Sequence, residues 1–214
     1  NVVLFGASQG IGRALALEFA HTGSSLVLLS RNEKEIESLS AEISSKGSKC
    51  FSKKCDVTLL ENVRDGIVFA CEILDSIDLV IINSGVGGPN WMQSFSSEQF
   101  KQTFAVNTFG IAHVLESIIP VMKKQGYGTI AGITSLADVR GYGGSSSYSA
   151  SKAAGSILLE SARVELKKDS IRVITVRPGF VKTAMTDKNE FKMPLLMQPD
   201  KAARIIRKGI EAGR

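Results

Sequence analysis

The chain has 214 residues and a formal net charge of +5, enough length for one continuous α/β core. Its basic residues are dispersed, and doublets such as Lys123-Lys124 and Lys167-Lys168 fall near predicted helix ends, where cations meet the macrodipole favourably, so the charge does not point to nucleic acid. No run of about 18 uninterrupted apolar residues occurs and no charged-then-apolar leader is predicted before the first strand, so the chain reads as cytoplasmic, with no transmembrane segment.

A short apolar strand, Val2-Val3-Leu4-Phe5, passes at once into Gly6-Ala7-Ser8-Gln9-Gly10-Ile11-Gly12 and a helix predicted over 11–22. Glycine permits the turn and a close approach of backbone to ligand, and the unpaired N–H groups of the helix start attract pyrophosphate. The spacing is Gly-x-x-x-Gly-x-Gly, which departs from the usual Gly-x-Gly-x-x-Gly of dinucleotide sites. A second strand over 26–30 ends at Ser30-Arg31-Asn32, where an NAD-binding chain would place a carboxylate for the ribose 2′-hydroxyl. No acid stands there. Arg31 offers a charge-assisted partner to a 2′-phosphate, which favours NADP(H) and leaves NAD(H) as the second choice.

A helix is predicted over 32–46, a strand over 49–54, a helix over 59–73 and a fourth strand over 78–82 that leads into Asn83-Ser84-Gly85. The three cysteines, Cys50, Cys55 and Cys71, are odd in number and lack metal spacing, and they read as core thiols in a reducing compartment. His21 and His113 have no second ligand at metal spacing, so no metal site is predicted.

Ser96-Ser97-Glu98-Gln99 has a capping-box pattern and begins a long helix over 97–124. That helix places Phe100, Thr103, Phe104, Asn107 and Ile111 on one inward stripe. A buried Asn107 requires polar partners, because burial without one costs about 1–3 kcal/mol. Pro120 predicts a kink or an end. The fifth strand, over 128–134, delivers Ser135 to the carboxyl edge of the sheet, where α/β folds bind ligands.

Thirteen residues on, Tyr148 and Lys152 share one face of a helix over 147–168 at i, i+4 spacing. The ammonium is thereby expected beside the phenol, and a cation a few Å away in a partly dry site lowers a tyrosine pKa from its usual value of about 10. Tyr-x-x-x-Lys alone is weak: with three tyrosines and lysine at roughly 6 % of residues it arises by chance about one time in six. The same helix is rich in small residues (Ala150, Ala153, Ala154, Gly155, Ser156, Ala162) that permit close approach of another helix. A sixth strand over 171–177 runs into Pro178-Gly179, and a last helix is predicted over 199–212.

Strands and helices in strict alternation predict an α/β fold: a Rossmann-like doubly wound parallel sheet with helices on both faces in a single domain. With Ser135, Tyr148 and Lys152 behind the Gly-x-x-x-Gly-x-Gly turn, the chain resembles the short-chain dehydrogenase/reductase family from Val2 to about Thr183. Asp56-Val57 matches the family's adenine contact, Asn83-Ser84-Gly85 stands where the family usually has Asn-Ala-Gly, and Pro178-Gly179-x-Val181-x-Thr183 matches the segment flanking the nicotinamide. The resemblance implies a strand order of 3-2-1-4-5-6 and an oxidoreductase that interconverts a carbonyl and an alcohol by hydride transfer. It also implies a catalytic set of Asn107, Ser135, Tyr148 and Lys152, in which Asn107 supports a proton relay to the lysine. Cofactor contacts are expected at Gly6, Ser8, Gln9, Gly10, Ile11, Gly12, Ser30, Arg31, Asn32, Asp56, Val57, Asn83, Ser84, Gly85, Tyr148, Lys152, Pro178, Gly179, Val181 and Thr183.

The run from Val86 to Trp91, Leu136, Ala137, Tyr142 and Phe180, with the segment from Ala184 to Leu196 that includes Phe191, are candidate walls for a hydrophobic small-molecule substrate, with the charged Asp138 and Arg140 at the mouth. The family often pairs its long helices across a subunit interface, which implies a homodimer or homotetramer. Members commonly continue into a seventh strand after the last helix, and none is predicted up to Arg214. Two other readings stay open: an epimerase or dehydratase that reuses the Tyr–Lys pair, and a regulatory nucleotide-binding protein.

Overall fold

Short runs of Val, Leu and Ile become strands because both their faces find cover. In the computed structural model, which describes residues 1–188 and 192–213, six strands form one parallel sheet: β1 (Val2–Phe5), β2 (Leu26–Ser30), β3 (Cys50–Lys54), β4 (Leu79–Ile82), β5 (Gly128–Ile133) and β6 (Ile171–Val176). Val3, Phe5, Val27, Leu29, Val80 and Ile82 enter a core with Val63, Ile67, Val114, Ile118 and Leu159. Their strand neighbours Val2, Leu4, Leu26, Leu28, Leu79 and Ile81 enter a second core with Leu15, Phe19, Ile36, Leu39 and Ile206. The helices that supply these partners are α1 (Gly10–His21), α2 (Glu33–Ser45), α3 (Leu60–Ile73), α4 (Ser97–Phe104), α5 (Gly110–Gln125), α6 (Ser146–Leu166) and α7 (Pro199–Glu211). The first core lies under α3, α5 and α6, and the second under α1, α2 and α7.

The strand order is β3-β2-β1-β4-β5-β6, as expected from the resemblance. The chain runs outward from β1 to β3, then restarts at β4 on the other side of β1, and this reversal opens a crevice above the carboxyl ends of β1 and β4. Two backbone bonds frame it: Gly6 N–H donates to the Leu29 carbonyl at 2.7 Å and Asn83 N–H to the Phe5 carbonyl at 3.0 Å.

The long helix departs from the prediction in a specific way. Between α4 and α5 the backbone makes a π turn over Ala105–Phe109, a local widening that concentrates at functional sites, and Asn107 sits within it. Pro120 neither ends nor breaks the helix, since α5 continues to Gln125; Pro120 and Glu116 are both exposed, so the carbonyl that loses its donor faces water. Ser96 does cap α4, its Oγ accepting from Gln99 N–H at 3.1 Å, but the box is not closed: the Gln99 side chain donates to the Pro89 carbonyl and Ser96 N–H to Asn90 Oδ1. Cys50 and Cys55 are buried, whereas Cys71 is exposed on α3 and is no core thiol.

Among the described residues, Ser97–Gln125 is long and apolar enough by length and composition to cross a membrane. Ile111, Val114, Leu115, Ile118 and Met122 from this stretch cover the sheet, which accounts for its apolarity.

Gly132 shows how tightly α6 seats on β5: a Cβ there would collide with the Leu159 Cδ1 methyl. We expect Gly132→Ala to lower unfolding stability by about 1–3 kcal/mol through overpacking, measured by urea denaturation; an unchanged midpoint would show that α6 has room to move.

Candidate active site

The first turn after β1 is shaped by glycines that no other residue replaces without strain. Gly6 and Gly10 have φ of +79° and +56°, and a Cβ on Gly6 would stand 2.6 Å from Ser84 N. Gly12 packs against the Gly6 carbonyl with no space for a side chain, so its role is to let α1 start close to β1 and it does not line the cleft. Asn83 Nδ2 donates to the same Gly6 carbonyl at 2.8 Å, fastening the glycine turn to the end of β4. Ser30 Oγ donates to Ser8 Oγ at 3.1 Å, linking the turn to β2.

A cleft runs over this edge of the sheet. Its walls come from Gly6, Ser8, Gln9, Gly10 and Ile11 of the turn, Ser30 and Arg31, Val57, Asn83 to Gly85, Ser135, Tyr148 and Lys152, and Pro178, Gly179, Val181 and Thr183. Cys55 lines it too, where burial, assisted by the Asp56 and Asp65 charges, pushes the thiol up to about 12. An adjoining hollow is lined by Ser8, Gln9, Ser30, Arg31, Asn32 and Glu35; the acid Glu35, one turn after Arg31, was absent from the sequence prediction. Asn32 is also the N-cap of α2. Asp56 does not reach the cleft, because its Oδ1 accepts from the amide and hydroxyl of Thr58 at 2.9 and 2.8 Å.

Lys152 is 4 % exposed, and its Nζ donates to the Ile133 carbonyl at 2.9 Å. It lies 5.9 Å from the Tyr148 ring centroid, and Tyr148 and Ser135 line the same cleft. Ser135 Oγ accepts from Ala137 N–H at 3.1 Å, which closes the turn after β5. Asn107 is fully buried; its Oδ1 accepts from Val86 N–H at 2.8 Å and its Nδ2 donates to the Val86 carbonyl and Ser151 Oγ at 2.9 and 3.0 Å. Asn107 Oδ1 and Lys152 Nζ flank Gly85, 3.5 and 3.2 Å from where a Cβ would stand. Ser135, Tyr148, Lys152 and Asn107 are thus gathered at one end of the cleft.

The predicted substrate walls are gathered less well. Val86 is held by Asn107 through its backbone, Leu136 approaches the Gly179 edge of the cleft, and Trp91 lies on Gly143 and Gly144. Trp91, Leu136 and Tyr142 are exposed, and none of Val86, Trp91, Leu136, Ala137, Tyr142 and Phe180 lines the main cleft, whereas Ala184, Met185 and Thr186 from the start of the predicted 184–196 segment do. Phe191 lies outside the described residues. Asn90, within the run read as a substrate wall, is a buried tie, 2 % exposed, whose Nδ2 donates to Ser147 Oγ at 2.7 Å and to the Ser96 carbonyl at 3.0 Å. It joins the loop after β4 to the start of α6, one residue before Tyr148. No local signal marks this tie, since Ser147 is remote in sequence.

The model of the family described as short chain dehydrogenase matches residues 1–193. The chain belongs to this family. It is 35 % identical over 213 residues to an uncharacterized oxidoreductase of Myxococcus xanthus, covering 100 % of this chain and 84 % of that one. It is also 31 % identical over 196 residues to the 7alpha-hydroxysteroid dehydrogenase of Escherichia coli, covering 89 % and 76 %. A solved alcohol dehydrogenase from Thermococcus sibiricus, complexed with 5-hydroxy-NADP, superposes with a TM-score of 0.89 at 27 % identity, covering 99 % of this chain and 90 % of that one. This short-chain dehydrogenase is accordingly an oxidoreductase with a nicotinamide cofactor.

The residues present fit such a cofactor. Gln9, at the N-cap of α1, makes no side-chain cap bond, so the first-turn N–H groups remain available to a pyrophosphate, and the side-chain-free surface of Gly6 and Gly10 gives it close access.

Burial dominates the electrostatics of the dehydrogenase site. It lowers Lys152 to about 8 against the opposing pull of Asp138. It also raises Tyr148 above its ordinary value, outweighing the lowering influence of the Ser135 side chain, while Asp138 adds to the rise. The expected lowering of the phenol by the neighbouring ammonium is therefore reversed in this structure, where Lys152 points its proton at Ile133.

A lysine pKa depressed on folding costs stability fully below the folded value of about 8 and progressively less up to the ordinary 10.5. We expect Lys152→Met to be more stable than the parent at neutral pH, with an advantage that shrinks as pH rises from about 8 towards 10.5. Urea denaturation across that range checks this; a pH-independent difference would show that Lys152 is not destabilised by burial.

Proposed function

We propose that this short-chain dehydrogenase interconverts a carbonyl and an alcohol, with Tyr148 moving the proton and NADP(H) preferred over NAD(H). The observation that carries the reading is a single cleft lined by Ser135, Tyr148 and Lys152 together with the glycine turn. When bound, the nicotinamide supplies or accepts the hydride.

In reduction, the Ser135 hydroxyl donates to the substrate oxygen and orients it, and the Tyr148 phenol gives that oxygen its proton. The phenolate left behind is stabilised by the Lys152 ammonium. In oxidation the same groups work in reverse, the phenolate removing the alcohol proton. Asn107 holds Val86 and Ser151 and flanks Gly85 beside Lys152, a position suited to a relay that returns the proton. Gly6 to Gly10 would hold the pyrophosphate, and Val57 the adenine end. Asn83 to Gly85 with Pro178, Gly179, Val181 and Thr183 would hold the nicotinamide end.

Arg31 supports the NADP(H) preference: it faces the hollow beside the glycine turn, no acid occupies the end of β2, and Glu35 lies a turn further into α2. The complex of the Thermococcus enzyme with an NADP derivative accords with this choice. Met185 in the cleft and the exposed Trp91, Leu136 and Tyr142 beside it suit a hydrophobic ketone, aldehyde or secondary alcohol, and the name of the Escherichia coli relative points the same way. Ile157 and Val164, seven residues apart on α6 and both exposed, form an apolar stripe that supports homodimer or homotetramer assembly. A cytoplasmic location accords with two buried free thiols.

Two substitutions test the reading, with loss of reduced-nicotinamide absorbance followed over ketones, aldehydes, quinones, steroids and 3-oxoacyl thioesters. Tyr148→Phe should lower turnover by about 100-fold or more, the scale of general acid–base catalysis; full activity in that variant would remove Tyr148 from the chemistry. Arg31→Ala should weaken NADPH about tenfold or more, as loss of a charge-assisted pair does, and spare NADH. Equal loss on both cofactors would sink the NADP(H) preference.

A further inference from the structure

One more turn along α6 from Tyr148 and Lys152 stands Ser156, so the three make a single i, i+4, i+8 stripe. The segment leaving β5 meets each rung. Ser135 lines the cleft with Tyr148, the Ile133 carbonyl accepts from Lys152 at 2.9 Å, and the Asp138 carboxylate accepts from the Ser156 hydroxyl. The same Oδ2 of Asp138 accepts from Arg177 Nε at 2.8 Å and from Thr134 Oγ1 at 3.2 Å.

The Asp138 side chain is 3 % exposed, whereas Arg177 is 38 % exposed. Water therefore screens the guanidinium more than the carboxylate, and the negative field persists towards the interior. Replacing a buried ion pair by well-packed apolar groups is often neutral or stabilising, so stability alone is a poor reason for an acid at this depth. Asp138 N–H also donates to the Ser135 carbonyl at 3.1 Å, which puts the acid in the same turn as Ser135.

We propose that Asp138 is a positioning residue of the proton-transfer centre, serving as a buried counter-charge to Lys152 while fixing the turn that carries Ser135. The proposal rests on the dehydrogenase reading of Ser135, Tyr148 and Lys152. The groups around Lys152 are Tyr148 on its own helix, the Ile133 carbonyl of β5, Gly85 of the loop after β4, Asn107 of the π turn and, at the Ser156 rung one turn along, Asp138, with Arg177 just after β6 behind it. Among these described groups, Asp138 alone is an acidic side chain. Burial is the larger influence on Lys152, lowering it, and the Asp138 charge opposes that effect. Asp138 thus extends upward the pH range over which the lysine stays charged.

The test follows the Lys152 Nζ resonance in protein carrying isotope-labelled lysine, assigned by its loss in Lys152→Met. The parent midpoint is expected near about 8. Asp138→Asn should move it down by about one pH unit, and Arg177→Met, which leaves the carboxylate without its cation, should move it up. Unmoved midpoints, or shifts of the same sign, would overturn the proposal, because a purely structural role gives no opposed pair. Should Asp138→Asn fail to fold, Arg177→Met decides alone: an upward shift supports the proposal, and any other result overturns it. The titration needs no turnover, so its failure is distinct from failure of the dehydrogenase reading, which would appear as a Tyr148→Phe variant that retains full activity.

Discussion

An ammonium held almost entirely out of water governs the arrangement of this molecule. Lys152 is desolvated on α6, and a buried cation persists only where dipoles or opposite charge replace its hydration. The Ile133 carbonyl supplies the dipole at the last residue of β5. That contact requires α6 to lie close against β5, which in turn requires the bare backbone of Gly132 beneath Leu159. Gly155, one turn before Leu159 on α6, lets Ile111 and the π turn approach closely. The small residues of α6 are therefore conditions for placing one charge, and their first partners lie within the chain.

The remainder of the cleft follows from the reversal of strand order at β1. Because β1 pairs with both β2 and β4, the glycine turn and Asn83 leave adjacent strand ends and meet across the Gly6 carbonyl. On the far side, the segment after β6 is kept over the turn by its own knot: Thr186 Oγ1 donates to the Val181 carbonyl at 2.8 Å, and Met197 N–H to the Phe180 carbonyl at 2.9 Å. Thr183 then packs on Gly10, its Cγ2 2.9 Å from the vacant Cβ position. Backbone proximity, with few long side chains, forms the floor and roof.

Strands and helices were readable because buried parallel strands are continuous apolar runs, and the helices between them keep a 3.6-residue period. The strand order came from family resemblance, which the paired registers reproduce. Local pattern failed where geometry is non-local. A π turn alters the helix by a single residue per turn, too little to disturb the stripe from Thr103 to Ile111, so Asn107 was placed inward without its widened backbone. Asn90 and Asp138 each owe a decisive side-chain contact to a distant element, Ser147 for Asn90 and Ser156 and Arg177 for Asp138, which local pattern does not announce. The titration of Tyr148 was misjudged because spacing says nothing about desolvation. Substrate walls were the least readable, since Trp91, Leu136 and Tyr142 lie on loops whose paths depend on packing.

The Asn83–Gly6 tie joins positions 77 residues apart, and the Asn90–Ser147 tie positions 57 apart. Closing loops of this length is paid for in chain entropy before any contact rewards it. The nucleotide cradle and the proton-transfer end consequently have no local precursor: neither α1 nor α6 can assemble its half by forming early. Competence requires both the β1–β4 pairing and the seating of α6 on β5, two long-range events. A chain emerging from the ribosome therefore stays chemically silent until its fourth strand has inserted beside its first and α6 has seated on β5.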